Sequence, residues 1–515
     1  MSRRMSAAVT VVAAIGALAA PGGAAAAPVV DTSDLRDAVT LEGVVEHMQE
    51  FQYIADANGG NREASSPGYD ASVAYVVEQL EAAGYEVTEQ EFDYDYFEEV
   101  EAATLTRTRG EGAPEAYEDG VDISTMDFSG SGTLSGVVQA VDVVVPMTPG
   151  SPDGTSNSGC EAEDFTGFTG DIALIQRGTC DFSVKIANAV AAGADAVIIF
   201  NEGNSEDRSG VDFGQASFAQ DVPVVEMSYE AGAALVELIE SSSEPITLEG
   251  STNTINEQRS SSNVIADWPG GREDRTVVSG AHLDSVAEGP GINDNGSGSA
   301  GLLETALEVA ELGVEPRNHL RFIWFGAEES GLVGSQYYVD QLSKRELKDI
   351  AVMLNFDMIG SPNPGWFVYD GDASDTASTG SAGSGVVEDV FVDFFDSIGR
   401  ISEPTAFDGR SDYDAFVAAG IPAGGLFTGA EDHKTVEQAA PDYWGGEAGV
   451  AYDPCYHAAC DTIENYDPTA LDEMSDALAH GLWTFAMTTS AIEGTSKGNA
   501  TGRYDPSFKG SSAIR

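Results

Sequence analysis

Three short apolar segments in the second half of the chain constrain its fold most. They span residues 277–280, 320–325 and 353–357, and helix-like segments at 302–312 and 334–341 separate them. Strands that alternate with helices form a mostly parallel sheet with helices on both faces. We therefore predict an α/β fold with a mostly parallel central sheet flanked by helices.

Each of these strands ends in side chains that can bind metals or transfer protons. His282 and Asp284 follow the first strand, Glu328 and Glu329 follow the second, and Asp357 ends the third. Ligands of open parallel sheets bind beyond the carboxyl ends of the strands. We therefore expect these side chains to meet at one edge of the sheet.

Two further segments add to this set. A glycine-rich loop at 289–301 contains Asp294, and the segment from Cys455 to Asp461 contains His457. Imidazole together with carboxylate suits zinc, and a bridging carboxylate can hold two zinc ions about 3.5 to 4 Å apart for hydrolysis. The glycines allow the tight turn that would let Asp294 reach between two ions. A phosphate-binding loop is the alternative, but it would need a lysine and a motif spacing that are absent.

Taken singly, each of these residues also has a structural interpretation. An isolated His-x-Asp is more often a core histidine bonded to its neighbour, paired glutamates usually lie on a solvated turn, and an Asp among glycines is usually a turn residue. Only the complete set favours a metal site. The remaining histidines fall outside the motifs and are interpreted as structural or surface residues: His47, His319, His433 and His480.

The charge of the chain limits its partners. Aspartate and glutamate outnumber lysine and arginine by 86 to 24, which gives a formal net charge of −62. Such a charge repels nucleic acid and anionic lipid, so neither is expected as a partner. The acids are spread along the whole chain, which favours a solvated surface suited to a salty or acidic habitat over recognition of a basic substrate.

The first residues resemble a secretory signal. Arg3 and Arg4 precede an apolar run at 7–20 and small residues at 24–26, a pattern typical of cleavage after residue 26. The run is shorter than the roughly 20 residues of a membrane-spanning helix. We predict a signal peptide at 1–26 and a secreted, extracellular, monomeric protein without a membrane anchor.

The cysteines form two local pairs, which in an exported protein predict two disulfides. A zinc site built from cysteine alone would need closer spacing. The residues concerned are Cys160, Cys180, Cys455 and Cys460.

A β-rich unit interrupts the chain between about residues 96 and 258. It consists of short apolar runs separated by Gly, Ser, Asp and Pro, with a helix predicted at 182–192 and a strand at 196–200, so the unit is α+β. The segment Gly170–Gly178, followed by Cys180, Phe182 and Lys185, resembles a protease-associated (PA) domain. The alternative is a generic β-sandwich insert. A PA domain would form a lid or docking surface beside a peptidase site.

Two helices, at 34–57 and 69–83, and a strand at 85–88 precede this unit. We predict a catalytic domain formed by 34–95 and 259–492, an inserted PA domain at 96–258, and a flexible C-terminal tail at 493–515.

Five separated motifs resemble the M28 family of zinc aminopeptidases, particularly its secreted streptomycete leucine-type members. They are Gly280–Ser285, Asn293–Asp294, Gly326–Glu329, Asn355–Gly360 and Tyr456–His457. The resemblance implies two zinc ions per chain. One would be bound by His282 and Asp357, the other by Glu329 and His457, with Asp294 bridging both.

The resemblance also implies a reaction, the hydrolysis of the N-terminal bond of peptides by a zinc-bridging water, with a preference for large apolar N-terminal residues. Glu328 matches the general base that activates this water. Tyr456 matches the residue that stabilises the oxyanion, and Asp284 the carboxylate that fixes the tautomer of His282. Arg410 matches a substrate contact.

Two other activities and one further ion remain open. Some relatives with a PA domain are metallocarboxypeptidases, and some similar folds are receptor-like binding proteins without catalysis. Some relatives also hold a structural Ca²⁺, to which Asp472 and Asp476 could contribute. Ala38 stands near the position of the matching N-terminal acid.

Overall fold

The computed structural model describes residues 30–205, 208–211, 213–378 and 380–493. The predicted signal peptide and the predicted tail after Glu493 lie outside these residues. No helix in the described part of the chain is long and apolar enough to cross a membrane.

The helices are α1 (Ser33–Ala38), α2 (Leu41–Ala57), α3 (Pro67–Ala83), α4 (Phe182–Ala191), α5 (Tyr229–Ser241), α6 (Gly296–Leu312), α7 (Val333–Gln341), α8 (Glu346–Asp349), α9 (Ser384–Ile398), α10 (Tyr413–Ala418), α11 (Pro468–Met487) and α12 (Ser490–Glu493). The strands are β1 (Glu86–Arg109), β2 (Glu115–Ala116), β3 (Ile123–Thr125), β4 (Gly132–Ala140), β5 (Ile172–Gln176), β6 (Ala196–Phe200), β7 (Val224–Met227), β8 (Ile246–Asp267), β9 (Arg272–His282), β10 (Asn318–Phe325), β11 (Ile350–Phe356), β12 (Phe367–Tyr369), β13 (Glu403–Thr405) and β14 (Ala423–Phe427).

The second half of the chain forms a sheet of order β13-β12-β14-β11-β9-β10-β8. Its four central strands, β14, β11, β9 and β10, are parallel, whereas β8 pairs antiparallel with β10 and β12 pairs antiparallel with β14 and parallel with β13. Every residue of β11 is buried, as expected for a strand whose two faces are both covered. The predicted mostly parallel sheet is confirmed.

Successive residues of β9 enter different cores. Val277 and Ala281 belong to the larger core, which α2, α3, α6, α9 and α11 cover. Val278 belongs to the core on the opposite face, together with Tyr338 of α7 and Phe416 of α10. This alternation follows from the two-residue period of a strand.

A long antiparallel ribbon of β1 and β8 leads from this sheet into the inserted unit. There β4, β5, β6 and β7 are parallel and β3 pairs antiparallel with β7, with α4 and α5 packed on them. Asp95 pairs with Gln258 in the ribbon. The two predicted boundaries of the inserted domain therefore lie opposite each other on the paired strands β1 and β8. The division of the chain into these domains stays a prediction.

Two local predictions were wrong. The predicted helix at 34–57 is two helices, because Val39 is extended and the Thr40 side chain accepts the N–H of Gly43 to begin α2. The predicted loop at 289–301 already becomes helical at Gly296, where the Asn295 side chain accepts the N–H of Gly298. In both cases a polar side chain satisfies a free backbone N–H and starts a helix.

Both predicted disulfides are present. Cys160 is bonded to Cys180 in the inserted unit, and Cys455 is bonded to Cys460 around the segment that contains His457.

Candidate active site

The carboxyl ends of the central strands converge on a cleft. Each predicted metal ligand lines it, as do the predicted base, the tyrosine and the arginine: His282, Asp294, Glu328, Glu329, Asp357, Arg410, Tyr456 and His457. The remaining predicted residue, Asp284, is buried behind them.

Asp294 lies between the two histidines. Its Oδ1 is 3.3 Å from Nε2 of His282, and its Oδ2 is 3.3 Å from Nε2 of His457. The side chain is almost fully buried. A carboxylate that presents one oxygen to each imidazole has the geometry of a bridge between two metal ions.

Each histidine has a second carboxylate beside it. His282 Nε2 is 3.3 Å from Asp357 Oδ1, and His457 Nε2 is 3.0 Å from Glu329 Oε2. The other oxygen of Glu329, Oε1, is buried without a hydrogen-bond partner among the described residues. The ligand atoms offered by His282, Asp294 and Glu329 all lie within 4.8 Å of one another, as do those of His282, Glu328 and Asp357, so the two ligand groups adjoin each other.

Carboxylates outnumber cations in this cluster, and the pKa values reflect it. Burial raises the pKa of Glu328 well above its usual value, and the negative charge of Glu329 adds to the shift. Burial disfavours the charged form of His457, but the carboxylates of Glu329 and Asp294 outweigh this effect and raise its pKa to about 11. A cluster with this charge imbalance favours bound cations.

Asp284 holds the backbone of the two glutamates in place. The Asp284 carboxylate accepts the N–H of Glu328 and the N–H of Glu329, each at 3.2 Å. Nδ1 of His282 lies 3.7 Å from Oδ1 of Asp284 and 3.2 Å from its main-chain oxygen. Asp284 therefore faces His282 and also fixes the turn that carries both glutamates.

Three non-glycine residues at this edge have a positive φ. They are Ala327 (56°), Met358 (49°) and His457 (52°). The first two stand next to Glu328 and Asp357, and the third is itself a predicted ligand. Such backbone conformations are costly for residues with a Cβ and concentrate at functional sites.

Comparison with known proteins identifies the chain. Residues 263–482 match the model of peptidase family M28, and residues 139–235 match that of the PA domain. An aminopeptidase of Pseudomonas aeruginosa is 45% identical over 454 residues, which are 87% of this chain and 82% of that protein. The chain belongs to peptidase family M28. The predicted family, its aminopeptidase class and the PA domain are confirmed.

Other relatives of this M28 peptidase are similar along most of its length. Leucine aminopeptidase 2 of Trichophyton equinum is 37% identical over 464 residues, covering 89% of this chain and 87% of that protein. The solved aminopeptidase from Aneurinibacillus sp. strain AM-1 is 26% identical, with a TM-score of 0.64 over 88% of this chain and 95% of that chain. The predicted fold class is confirmed.

Tyr456 is fixed from two sides in the M28 peptidase. Its ring stacks on His457 with a centroid distance of 3.8 Å. Arg410 donates from Nη2 to the Tyr456 hydroxyl at 3.2 Å and forms an ion pair with Glu431 through Nη1 at 2.7 Å. Because arginine only donates, the hydroxyl is the acceptor in this bond, and its own proton stays available to the cleft.

The structure also contains functional residues to which the motifs gave no role. Ser411 donates to Asp357 Oδ2 at 2.6 Å and accepts from Asn355 at 2.7 Å. The buried guanidinium of Arg62 donates to the main-chain oxygens of Leu283, Pro290 and Gly291. Both residues lie outside the five motifs named above, and only the fold reveals their partners.

Calcium binding stays a prediction. Asp472 is exposed and Asp476 is half-buried on α11 of the M28 peptidase. Neither belongs to the clusters of potential metal ligands found among the described residues. Burial raises the pKa of Asp476 to about 6, although the nearby positive charge of Arg36 opposes the shift.

Proposed function

We propose that this M28 peptidase is a di-zinc aminopeptidase that releases large apolar residues from the N-terminus of peptides. The observation that carries the proposal is the position of Asp294, whose two oxygens face His282 and His457. Asp357 and Glu329 complete the two ligand groups, and Glu328 lines the same cleft.

The side chains present fit zinc. Imidazole nitrogen and carboxylate oxygen are its usual ligands in catalytic sites, and the unpartnered Oε1 of Glu329 is an acceptor that a cation would satisfy. Zinc at such a site supplies Lewis-acid polarisation of the scissile carbonyl and activates water for attack.

The chain's own residues would carry the protons and orient the substrate. Glu328 is buried and has a raised pKa, so it is suited to accept a proton from the attacking water and deliver it to the departing amine. The Tyr456 O–H, left free by the bond from Arg410, is suited to donate to the developing oxyanion.

The charge of the cleft favours an aminopeptidase over a carboxypeptidase. Its one arginine, Arg410, is already paired with Glu431, so no free guanidinium is offered to a substrate carboxylate by the described lining. The carboxylate of Asp408 lines the cleft instead, and it suits the ammonium group of an N-terminus.

Part of the cleft lining is apolar and supports the proposed preference. It includes Met358, Tyr369, Ala406, Phe427 and Ala430. A lining of this kind favours a large apolar N-terminal side chain through burial of its surface. The fungal relative whose name specifies leucine is consistent with this preference.

We also propose that the enzyme is a secreted monomer with a signal peptide at 1–26. The catalytic domain would comprise 34–95 and 259–492, with the PA domain at 96–258 beside the cleft. N-terminal sequencing of the exported protein and its mass in solution would check these points.

The reaction is tested with three substrates and a chelator. We expect the enzyme to hydrolyse leucine p-nitroanilide and to shorten a C-amidated peptide stepwise from its N-terminus, while an N-acetylated peptide stays intact. Treatment with 1,10-phenanthroline should abolish activity, and zinc should restore it. Cleavage of the N-acetylated peptide from its C-terminus would identify a carboxypeptidase instead, and full activity without zinc would refute the proposed chemistry.

A further inference from the structure

The two ligands proposed for the second zinc come from distant parts of the chain. Asp294 lies in the glycine-rich loop before α6, and His457 lies inside the small disulfide ring Cys455–Cys460. Their facing atoms are 3.3 Å apart. Because both residues lie in loops, no strand or helix fixes the distance between them. Other contacts must hold the two loops together.

Asp461, the residue after the disulfide ring, joins the two loops. Its carboxylate accepts the N–H of Asn293 through Oδ1 at 2.8 Å and the N–H of Asp294 through Oδ2 at 2.9 Å. Its main-chain oxygen accepts the N–H of Ile292 at 3.1 Å, and its own N–H donates to Ala458 at 3.0 Å. One residue is therefore bonded to three successive amides of the first loop and to the neighbour of His457.

The carboxylate of Asp461 is itself fixed. It is only 2% exposed, and Nδ2 of Asn465 donates to its Oδ1 at 2.9 Å. The same Nδ2 lies 3.0 and 3.1 Å from the two oxygens of Asp453, which also accepts from the Asn293 side chain at 2.6 Å. Buried carboxylates held by several N–H donors have few alternative positions.

We propose that Asp461 is a positioning residue that sets the spacing of Asp294 and His457 and thereby the affinity for the zinc ion they share. The inference rests on the proposed di-zinc function. Asp461 does not line the cleft that contains the ligands, so it acts through Asp294 and His457 rather than on the substrate. Groups that orient metal ligands in this way typically change metal affinity by about 10- to 100-fold when they are removed.

Asp461→Asn is the direct test, and Asp467→Asn is its matched control. Asp467 also accepts two backbone N–H groups, from Thr469 and Ala470 at 2.9 Å each, but at the start of α11. Asp461→Asn replaces one of the two accepting oxygens with an amino group, whereas Asp467 accepts both amides through Oδ1, an oxygen that Asp467→Asn keeps. Only Asp461→Asn should weaken zinc binding.

The readout is zinc affinity, measured by competition between the metal-free protein and a chelator of known affinity. We expect Asp461→Asn to bind the zinc ion shared by Asp294 and His457 about 10- to 100-fold more weakly and the other ion, which shares only Asp294, with a smaller loss, while Asp467→Asn binds both ions like the wild type. The visible spectrum of the cobalt-substituted protein should change more for that ion than for the other. At saturating zinc, kcat should fall while KM for leucine p-nitroanilide stays within about threefold.

The outcomes separate the inference from the function it rests on. Wild-type protein that binds no zinc would refute the proposed function. Wild-type protein that binds two ions, with Asp461→Asn binding both as tightly or losing both alike, would overturn only the role of Asp461. If Asp461→Asn does not fold, Asn465→Ala decides the question, since it removes the donor that holds the Asp461 carboxylate and should weaken the same ion.

Discussion

The two ends of the central sheet each hold a histidine among carboxylates, and they differ in charge balance. At the amino end, Asp267 accepts from Arg321 through both oxygens at 2.8 and 2.9 Å and from His319 Nε2 at 2.8 Å. His319 Nδ1 is bonded to the main-chain oxygen of Gly270 at 2.9 Å. Because both ring nitrogens face acceptors, the protonated form of this histidine is favoured, and its pKa is raised although burial opposes the shift.

At the carboxyl end the balance is reversed. His282 and His457 face the carboxylates of Asp294, Glu329 and Asp357, and one buried oxygen of Glu329 has no hydrogen-bond partner in the described part of the chain. At the amino end, His319 and Arg321 neutralise the carboxylate of Asp267, whereas the carboxyl end has a negative excess that external cations would neutralise. A histidine beside an aspartate is therefore a structural ion pair or a metal site according to the charges around it.

The largest expected difference between the two ends is in catalysis. We expect Glu328→Gln to lower kcat for leucine p-nitroanilide by about 1000-fold, because it removes the proposed proton acceptor while preserving the shape of the side chain. Asp267→Asn, at the other end, should leave kcat/KM within about twofold. Comparable losses in the two variants would show that the ends do not differ in function.

The two ends of the sheet should also differ in how much zinc stabilises the protein against unfolding. Zinc added to the chelated protein at about 100 times its Kd should raise the free energy of unfolding by about 2.7 kcal/mol per ion. Thermal melts with and without zinc measure this gain. Asp267→Asn should gain as much as the wild type, and Asp294→Asn should gain less, because it lacks the shared ligand. An equal gain in Asp294→Asn would place the ions elsewhere.

Asp267→Asn should in turn destabilise the protein by about 2 kcal/mol, since it weakens charged hydrogen bonds to Arg321 and His319. Urea unfolding at pH 6 is the measurement. Glu328→Gln should not lower stability in the same experiment, because burial raises the pKa of Glu328 and penalises its charged form. The reverse result would mean that the amino-end cluster contributes nothing to folding.

The smallest expected effect is the pH dependence of that destabilisation. Hydrogen bonds with His319 and Arg321 overcome burial and hold the pKa of Asp267 below its usual 3.8, so its contribution is present above that value and is lost at lower pH. The bond to Asp267 likewise overcomes burial and raises the pKa of His319, so its contribution is complete below pH 6.5 and is lost as the pH rises through the raised value. The difference between wild type and Asp267→Asn should therefore be largest between about pH 4 and 6.5. A difference that keeps growing up to pH 9 would exclude His319 as the partner.

Much of the fold followed from local patterns. The strand predicted at 196–200 is β6 with the same bounds, and the helix at 334–341 differs from α7 by one residue. Apolar runs and their periodicity carry this information because burial acts on consecutive residues. The break at Val39 and the early start of α6 were missed because they depend on Thr40 and Asn295 acting as caps.

The sequence by itself determined which residues could form the site. Its motifs supplied two imidazoles and a set of carboxylates at the ends of strands, the resemblance to family M28 assigned them roles, and the cysteine pairs predicted both disulfides. Each of these features is a matter of residue type and local spacing, and none of them depends on how distant segments pack.

Only the tertiary structure decided which of these groups meet. His319 had been interpreted as structural or surface, and its pairing with Asp267 across β8 and β10 became visible only in the sheet. The same holds for Asp461, whose carboxylate reaches the Asp294 loop across 167 residues. Such contacts join segments that are remote in sequence. Their geometry and charge balance are set by the packing of the sheet and loops, because local residue preferences act only between near neighbours in the chain.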